Sequence, residues 1–577
     1  MKPDVLLIHS PSIYDFREKS IMFGPVSDVV PSTPVFEMYP IGFVTLSDYL
    51  ERHGYRVGIA NIAVRMLVEP NFKVEGFIRS LDARLFALDL HWLPHAHGAI
   101  EIAKLVKKHH PNTPIIFGGL SSTYFHEELI RYPQVDMVMK GDSTEEPMRI
   151  LLDILKKGGG GDLSQVPNLT WKDRAGVIHS QPITYVPEKW NHCRVNYGRV
   201  IKAVFRDRDL KNYLPFKDFM RYPIVGAFMC RGGARNCSVC GGSRYSFRKF
   251  FNRPRTALRE PEDLAFDIAD AASYFAGPVF VVGDIQTGGF DYVDRFLHAL
   301  AGYHLENMIV FEFWKLPPKE IFKKINKSVK NWSFEISCES QEELVRRRFG
   351  RAIYSNDELK QSIIDGLNAG AQRVDVYFLT GIPFQTRESI MDIPNYVEYL
   401  YEGQGENRKK LICFVAPLAP FVDPGSLVFE NPGRFGYHLT RKTLEDHRRA
   451  MDAPSWKYWL NYDSDYIDRD SLVEATYDCG LKLNDIKRRL NIITGESAKY
   501  VEQNIKMAKA TMQKVDSIYN ANISPAEKEK KYYQLKEEML RYSMSTVCRK
   551  RELEWSVHAL RKFRLRGVFK ALLTPAH

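Results

Sequence analysis

The sequence predicts an α/β chain built as two successive strand-and-helix units followed by a helical carboxyl-terminal region. Three observations carry that expectation. Apolar runs of strand length alternate with helical periodicities up to about residue 185 and again from about 220 to 430; several runs end in glycine; and beyond 430 the apolar residues recur at helical spacing. A chain of 577 residues exceeds what one hydrophobic core serves, so we divide it into 1–185, 186–430 and 431–577. The 44% hydrophobic and 26% charged content is that of globular proteins. No apolar run reaches the roughly eighteen residues of a spanning helix. The start, MKPDVLLIHS, has no small-residue cleavage site after it and reads as a first strand, so the expected location is the cytoplasm. Eight cysteines are too few and too scattered for a disulfide framework. The net charge of +11 suits an anionic partner without choosing between a nucleotide-like cofactor, nucleic acid and a lipid headgroup.

In the first unit Val5 to Ile8 is the opening strand, Phe43 to His53 a helix that Gly54 stops, and Val57 to Ala60 the next strand. Ala99, Ile102, Ala103 and Val106 share one helical face, and the strand Ile115 to Phe117 ends at Gly118-Gly119. Val135 to Val138 repeats the pattern and ends at Gly141-Asp142. Such a Rossmann-like, doubly wound parallel sheet binds ligands beyond the carboxyl ends of its strands. The run Gly158 to Gly161 reads as a flexible exit.

The second unit places strands at Ile224 to Met229, Val279 to Val282, Met308 to Phe313, Phe334 to Ser337, Val374 to Leu379 and Leu411 to Val415, the makings of a partial β/α TIM-type barrel. One of its helices shows both ends, with Ser355 and Glu358 as a capping box and Gly370 at the stop. In the third region Ile505, Ala508, Met512 and Val515 share a helical face, and Ser524-Pro525 with Glu527 opens another helix; no strand pattern is expected there. Trp456 and Trp459 either line a substrate pocket or fill a helix core. From Ser545 onward, basic residues interleave with Trp555, Leu560, Phe563, Phe569, Leu572 and Leu573. That tail is either a helix docked on the barrel or an amphipathic contact with anionic lipid.

The chemistry concentrates in the glycine-rich loop after the first barrel strand, where Cys230, Cys237 and Cys240 cluster. Three thiolates suit an iron-sulfur cluster with one iron left open, which can chelate the amino and carboxylate groups of S-adenosylmethionine (SAM). A structural zinc site is the lesser reading, since it would need His192 or Cys193 from upstream. Cys338 and Cys413 fall in predicted strands and read as buried rather than reactive.

The loop, together with Phe334 to Ser340, Leu344 to Arg351 and Tyr377 to Pro383 in order, resembles the radical SAM superfamily over nearly the whole barrel region. The resemblance implies Cys230, Cys237 and Cys240 as ligands of a [4Fe-4S] cluster. It implies Gly283 and Asp284 at the SAM amino group, Ser337 and Glu339 at the ribose, and Arg351 near the methionine carboxylate. Gly381 and the Phe414-Val415 strand fall on the adenine side, and Pro417 to Gly425 resembles the loop that closes after the sixth strand. The usual ligand spacing is CxxxCxxC; here it is CxxxxxxCxxC, with Gly233 where the usual first thiol would stand and Val239 in place of the aromatic residue.

Residues 1 to 150 resemble the cobalamin-binding domain that precedes many such barrels, through Asp89-Leu-His91-Trp, Gly118-Gly119-Leu and Val135 to Glu145. This implies His91, Gly118, Gly119 and Gly141 as cofactor-lining residues. The usual glycine after the Asp-x-His pair is replaced by Pro94, and His91 is assigned no bond to cobalt. The implied activity is SAM cleavage that functionalises an unactivated carbon, most typically C-methylation by methylcobalamin after the deoxyadenosyl radical takes hydrogen. Carbon-carbon coupling, cyclisation or rearrangement without methyl transfer is the alternative, and a non-catalytic binding protein on the same fold the third. A small-molecule or lipid substrate and an electron donor such as ferredoxin or flavodoxin are the expected partners. Nucleic acid is not expected, because Lys and Arg are spread over the chain without a dedicated motif.

Overall fold

The computed structural model describes residues 2–19, 21–22, 37–157, 162–351, 353–418, 422–539, 548, 550–555 and 562–573. The glycine run 158–161, part of the loop 417–425 and part of the tail from 545 therefore lie outside the described residues. A mainly parallel sheet and an all-parallel one organise the chain, as the alternation of strand and helix patterns predicts.

The first sheet has seven strands in the order Val57–Asn61, Val5–His9, Phe86–Asp89, Ile115–Gly118, Met137–Met139, Leu169–Lys172 and Ile178–Ser180. The first five run parallel and the last two antiparallel. Strand order reverses between Val5–His9 and Phe86–Asp89, so a topological switch point lies at their carboxyl ends. Helix Gly42–Arg52 buries Phe43, Val44, Tyr49 and Leu50, and helix Ala96–His109 buries Ala99, Ile102, Ala103 and Val106, the face that the spacing predicts. The short edge strands Leu169–Lys172 and Ile178–Ser180 carry little apolar periodicity, and sequence reasoning missed them.

The second sheet has six parallel strands in sequential order: Val225–Phe228, Val279–Val282, Ile309–Phe313, Trp332–Glu339, Val374–Thr380 and Leu411–Pro417. Its first and last strands do not pair, the arrangement of a partial barrel. The helix Asn356–Ala369 has the full capping box of Ser355 and Glu358 and ends at Gly370 in the left-handed region.

The third region is mainly helical, with long helices Arg469–Arg489, Gly495–Asn520 and Pro525–Met539. Ile505, Ala508, Met512 and Val515 are buried, and Ser524 caps the last of these helices through Glu527. The expectation of no strand here needs correction: Tyr437–Leu439 pairs antiparallel with Tyr462–Ser464. Each strand spans three residues, too short for alternation to register, and a tilted ring contact between Tyr437 and Tyr462, with centroids 5.0 Å apart, supports the pair. Trp456 lies in a 3₁₀ turn, and both Trp456 and Trp459 are core residues; Trp459 Nε1 donates to Ala453 O at 3.0 Å. Cys338 and Cys413 are buried.

The described part of the tail returns to the barrel. Trp555 packs with Ile224, Phe280 and Val310, and Arg373 lies over its ring at 4.3 Å. Arg373 also donates to Glu552 O at 2.8 Å and Glu554 O at 2.9 Å, while Lys487 pairs with the Glu552 carboxylate at 2.8 Å. Helix Leu565–Leu573 docks by Ala571, yet leaves Leu565, Phe569 and Leu573 outward at 67%, 61% and 84% exposure. Among the described residues no helix is long and apolar enough to cross a membrane. Replacing Trp555 by Ala should cost about 3–5 kcal/mol, as for other buried tryptophans. The expected readout is a lower thermal midpoint with faster proteolysis within 550–573; an unchanged midpoint would show that the tail carries none of the barrel's stability.

Candidate functional site

A cavity of about 630 Å³ lies where the carboxyl ends of the two sheets meet. From the first sheet it is lined by Asp89, His91, Gly118, Gly119 and Gly141, and from the barrel by Cys230, Arg231, Glu312 and Glu335. Trp190, Phe216 and Phe219 of the connecting segment complete the wall. The cofactor-lining glycines and His91 expected from sequence thus share one chamber with the first predicted thiol.

The loops at the switch point explain this geometry. His9 Nδ1 lies 3.0 Å from Asp89 Oδ1, so the ends of adjacent strands are tied by a buried pair. Burial opposes ionisation of Asp89, but His9 and then His95 and His91 hold its carboxyl below the usual range. Burial pushes the His91 imidazole down to about 4 against the pull of Asp89, which leaves it neutral at neutral pH. Gly119 has φ +119°, and a Cβ there would lie 2.6 Å from His91 Cα. Only glycine lets the two strand-end loops touch. At Gly118, by contrast, a Cβ would meet nothing nearer than Met139 O at 4.0 Å, so this glycine leaves open space on the cavity side. A large planar ligand resting on these strand ends fits that surface.

Two arginines of the barrel join the units. Arg231 donates from Nη1 to Glu145 Oε2 at 2.9 Å and from Nη2 to Glu145 Oε1, and Arg253 donates from Nη2 to Asp142 Oδ1 at 3.0 Å and from Nε to Asp142 Oδ2. Burial opposes the Glu145 charge, yet Arg231 and His192 hold its carboxyl well below the usual range. Ligand atoms of Glu145, His192 and Cys193 lie within 4.8 Å of one another, but Arg231 donates to both Glu145 oxygens and reaches Cys193 Sγ at 3.7 Å. His192 and Cys193 are therefore engaged at the domain junction, which removes them from a zinc site with the loop cysteines. The sequence offered no signal for these pairs, since Arg231 and Glu145 stand 86 residues apart.

The three loop thiols are held by different segments. Cys230 pairs in register with Leu258 in a two-stranded ribbon. Burial pushes its thiol up to about 12, with Glu312 and Asp284 adding to the effect. The Cys237–Cys240 turn is gripped by backbone: Ser238 N–H donates to Phe349 O at 2.8 Å, and Gly241 N–H to Asp423 Oδ2 at 2.9 Å. Gly350, at φ +97°, has no room for a Cβ, which would lie 2.1 Å from Asn236 O. At Gly233 a Cβ would lie 2.4 Å from Gly242 O, so the position of the usual first thiol is closed by backbone.

The residues expected around SAM divide by their partners. Asp284 Oδ1 accepts from Gln286 N–H at 2.9 Å and Oδ2 from Trp314 N–H at 3.0 Å, so its carboxylate also shapes the turn after the second strand. Gly283 N–H donates to Glu312 Oε2 at 2.9 Å. Glu339, at φ +67° beside a bulge at Ser337, accepts from Arg351 Nε at 2.8 Å. Ribose-side and carboxylate-side candidates are thus one ion pair, and Arg351 acts electrostatically on Cys237. Gly381 packs under the carboxyl-terminal unit, where Tyr437 donates to its carbonyl, and Val415 is buried opposite Phe378. None of Gly283, Asp284, Ser337, Glu339, Arg351, Gly381 and Val415 is among the residues that line the cavity; nor are Cys237 and Cys240. Glu312 and Glu335, which do line it, escaped sequence reasoning because isolated acidic residues in strands carry no spacing signal.

Comparison with known proteins agrees with this architecture. Residues 28–151 match the B12 binding domain family. Among solved structures, the cobalamin-dependent S-adenosylmethionine radical enzyme OxsB, with aqua-cobalamin and S-adenosylmethionine bound, matches 94% of this chain and 80% of its own at 12% identity, with a TM-score of 0.54. The radical S-adenosylmethionine methyltransferase TsrM from Kitasatospora setae, with cobalamin and [4Fe-4S] cluster bound, matches 76% of this chain and 77% of its own at 14% identity and a TM-score of 0.53. No curated protein sequence matches the chain. The fold is that of cobalamin-dependent radical SAM enzymes, with the B12-binding type of domain at its amino end.

The Arg231–Glu145 pair gives the junction a pH signature. Because the folded carboxyl is depressed, its contribution to stability is complete above the unfolded value of about 4.3 and is lost as pH falls through the folded value. In Arg231→Met the buried carboxylate loses its partner at a cost of about 3–5 kcal/mol. Thermal midpoints measured from pH 3 to 7 should fall with acid more steeply in wild type than in the variant; parallel curves would sever the pair from junction stability.

Proposed function

We propose that this protein is a cobalamin-dependent radical SAM enzyme that functionalises an unactivated carbon, most typically by C-methylation. The observation that carries the reading is the single cavity that brings His91 and the strand-end glycines of a B12-binding type domain against Cys230 and the barrel mouth. Cys230, Cys237 and Cys240 are the residues that would hold the cluster, and the surface of His91, Gly118, Gly119 and Gly141 is where cobalamin would rest. The chemistry supplied there is reductive cleavage of SAM joined to cobalamin-borne methyl transfer. The protein's own part is placement: Arg231 and Arg253 hold the two strand-end surfaces face to face, and Trp190, Phe216 and Phe219 give the chamber an aromatic wall. Arg351, tied to Glu339, sets positive charge beside Cys237, where an anionic ligand set gains most from it. A small-molecule substrate, an electron donor such as ferredoxin or flavodoxin and a cytoplasmic setting complete the reading. The outward Leu565, Phe569 and Leu573 with Arg566 and Lys570 support peripheral contact with anionic lipid.

Anaerobic reconstitution with iron, sulfide and cobalamin tests the assignment. Wild type should hold about four irons per chain, retain cobalamin and cleave SAM, with S-adenosylhomocysteine formed beside deoxyadenosine where methyl transfer operates. Cys230→Ala should lose both cluster and cleavage. Adding Gly233→Cys to that variant, which restores the usual spacing on paper, should fail to rescue either, because a side chain at 233 meets the Gly242 carbonyl. Recovery of the cluster in the double variant would show that the loop re-forms around the usual spacing. For the tail, Leu565→Ser with Phe569→Ser should lower cosedimentation with phosphatidylserine vesicles, and unchanged binding would dispose of the lipid contact.

A further inference from the structure

Three carboxylates stand at neighbouring register positions in the barrel: Glu312 pairs with Glu335, and Glu335 with Asp375. Their partners are unequal. Asp375 accepts from both Nε and Nη2 of Arg373, at 2.7 and 2.9 Å. Glu312 accepts from Gly283 N–H at 2.9 Å and Trp314 Nε1 at 2.6 Å. Glu335 is 8% exposed, lines the cavity, and its Oε2 has no hydrogen-bond partner among the described residues. A buried carboxyl oxygen without a partner among the described residues is costly, and a ligand in the cavity can supply the missing hydrogen bond.

The kind of donor follows from what surrounds it. Phe228, Phe280 and Val282 make the adjoining cavity wall apolar, whereas the charged and titratable groups that act on Glu335 are Glu312, Asp375, Arg373 and the buried Tyr377 hydroxyl. Arg373 gives its hydrogen bonds to Asp375 and to the tail carbonyls of Glu552 and Glu554, and none of them goes to Glu335. Two carboxyl groups side by side against an apolar chamber cannot both ionise without cost unless a further cation joins them. A compact ammonium donates to both carboxylates at once, while its hydrocarbon body covers the aromatic wall.

We propose that Glu335, with Glu312 beside it, forms a subsite for the ammonium group of an otherwise apolar amine substrate. The inference rests on the reading above in taking this end of the cavity as the substrate chamber. Burial, then Glu312 and Asp375, push the empty Glu335 carboxyl well above its usual range, so the amine enters with loss of that proton.

The test uses 4-phenylbutylamine and 4-phenylbutanol as matched probes. Both are titrated calorimetrically at neutral pH into full-length, cluster-reconstituted protein with saturating SAM and no reductant, in buffers of different ionisation enthalpy. The amine should bind at least about tenfold more tightly than the alcohol and release about one proton. Glu335→Gln, which keeps the side chain's size, should abolish both the preference and the proton release while leaving the alcohol unchanged. Should that variant not fold, proton release by the wild type decides alone. Equal binding of the two probes, a preference that survives Glu335→Gln, or displacement of the amine by SAM overturns the subsite. SAM cleavage is assayed on the same sample after reductant is added. Amine selectivity without cleavage upholds the subsite and discards the enzyme; cleavage without amine selectivity discards the subsite alone.

Discussion

The arrangement depends on two guanidinium-carboxylate pairs, Arg231 with Glu145 and Arg253 with Asp142, formed between the barrel's first loop region and the last parallel strand-end loop of the other sheet. Both carboxylates follow Met137–Met139 directly, and Glu145 opens the helix Glu145–Lys156, where the backbone dipole also favours its charge. All four side chains are largely buried. Pairs of this kind gain little net stability, because desolvation offsets much of their attraction, but they are costly to break and demanding in geometry. Their planar forks fix an angle as well as a distance. What they specify is the orientation of one sheet's strand ends toward those of the other.

From that orientation the division of the site follows. Cys230 is placed by strand pairing with Leu258 and lies on the chamber side, whereas the Cys237–Cys240 turn is fixed from behind. Phe349 and Gly350, which follow the fourth barrel strand, and Asp423, which follows the sixth, all bond to or crowd that turn. The turn is thus held from outside the loop by backbone and side-chain contacts of two other barrel segments.

Most of the fold was legible because its strands are buried on both faces. Val279 to Val282 and Leu411 to Val415 are continuous apolar runs bounded by turn residues, and they appear in the structure with shifts of no more than two residues at their ends. The pair Tyr437–Leu439 and Tyr462–Ser464 was not legible, since three residues hold too little alternation to count. The cofactor side of the site was legible where glycine is needed for backbone approach, as at Gly119. The polar side was not. Asp142, Glu145, Arg231 and Arg253 acquire meaning only when remote segments meet, and Glu335 only when its Oε2 is seen to have no hydrogen-bond partner among the described residues.

The departure in cysteine spacing belongs to the same construction. Gly232 and Gly233 occupy positions where a Cβ would lie 2.4 Å from Arg253 Cδ and 2.4 Å from Gly242 O. The chain between Cys230 and Cys237 is thus pressed between a clamp arginine on one side and the loop's own return on the other. Arg231, immediately after the first thiol, is the other clamp arginine. A loop of the usual length would have to give up either the turn that admits Arg253 or the ribbon residue that projects Arg231 toward Glu145. Placing the first thiol on the ribbon keeps both arginines in place, so the spacing is tied to the junction between the units.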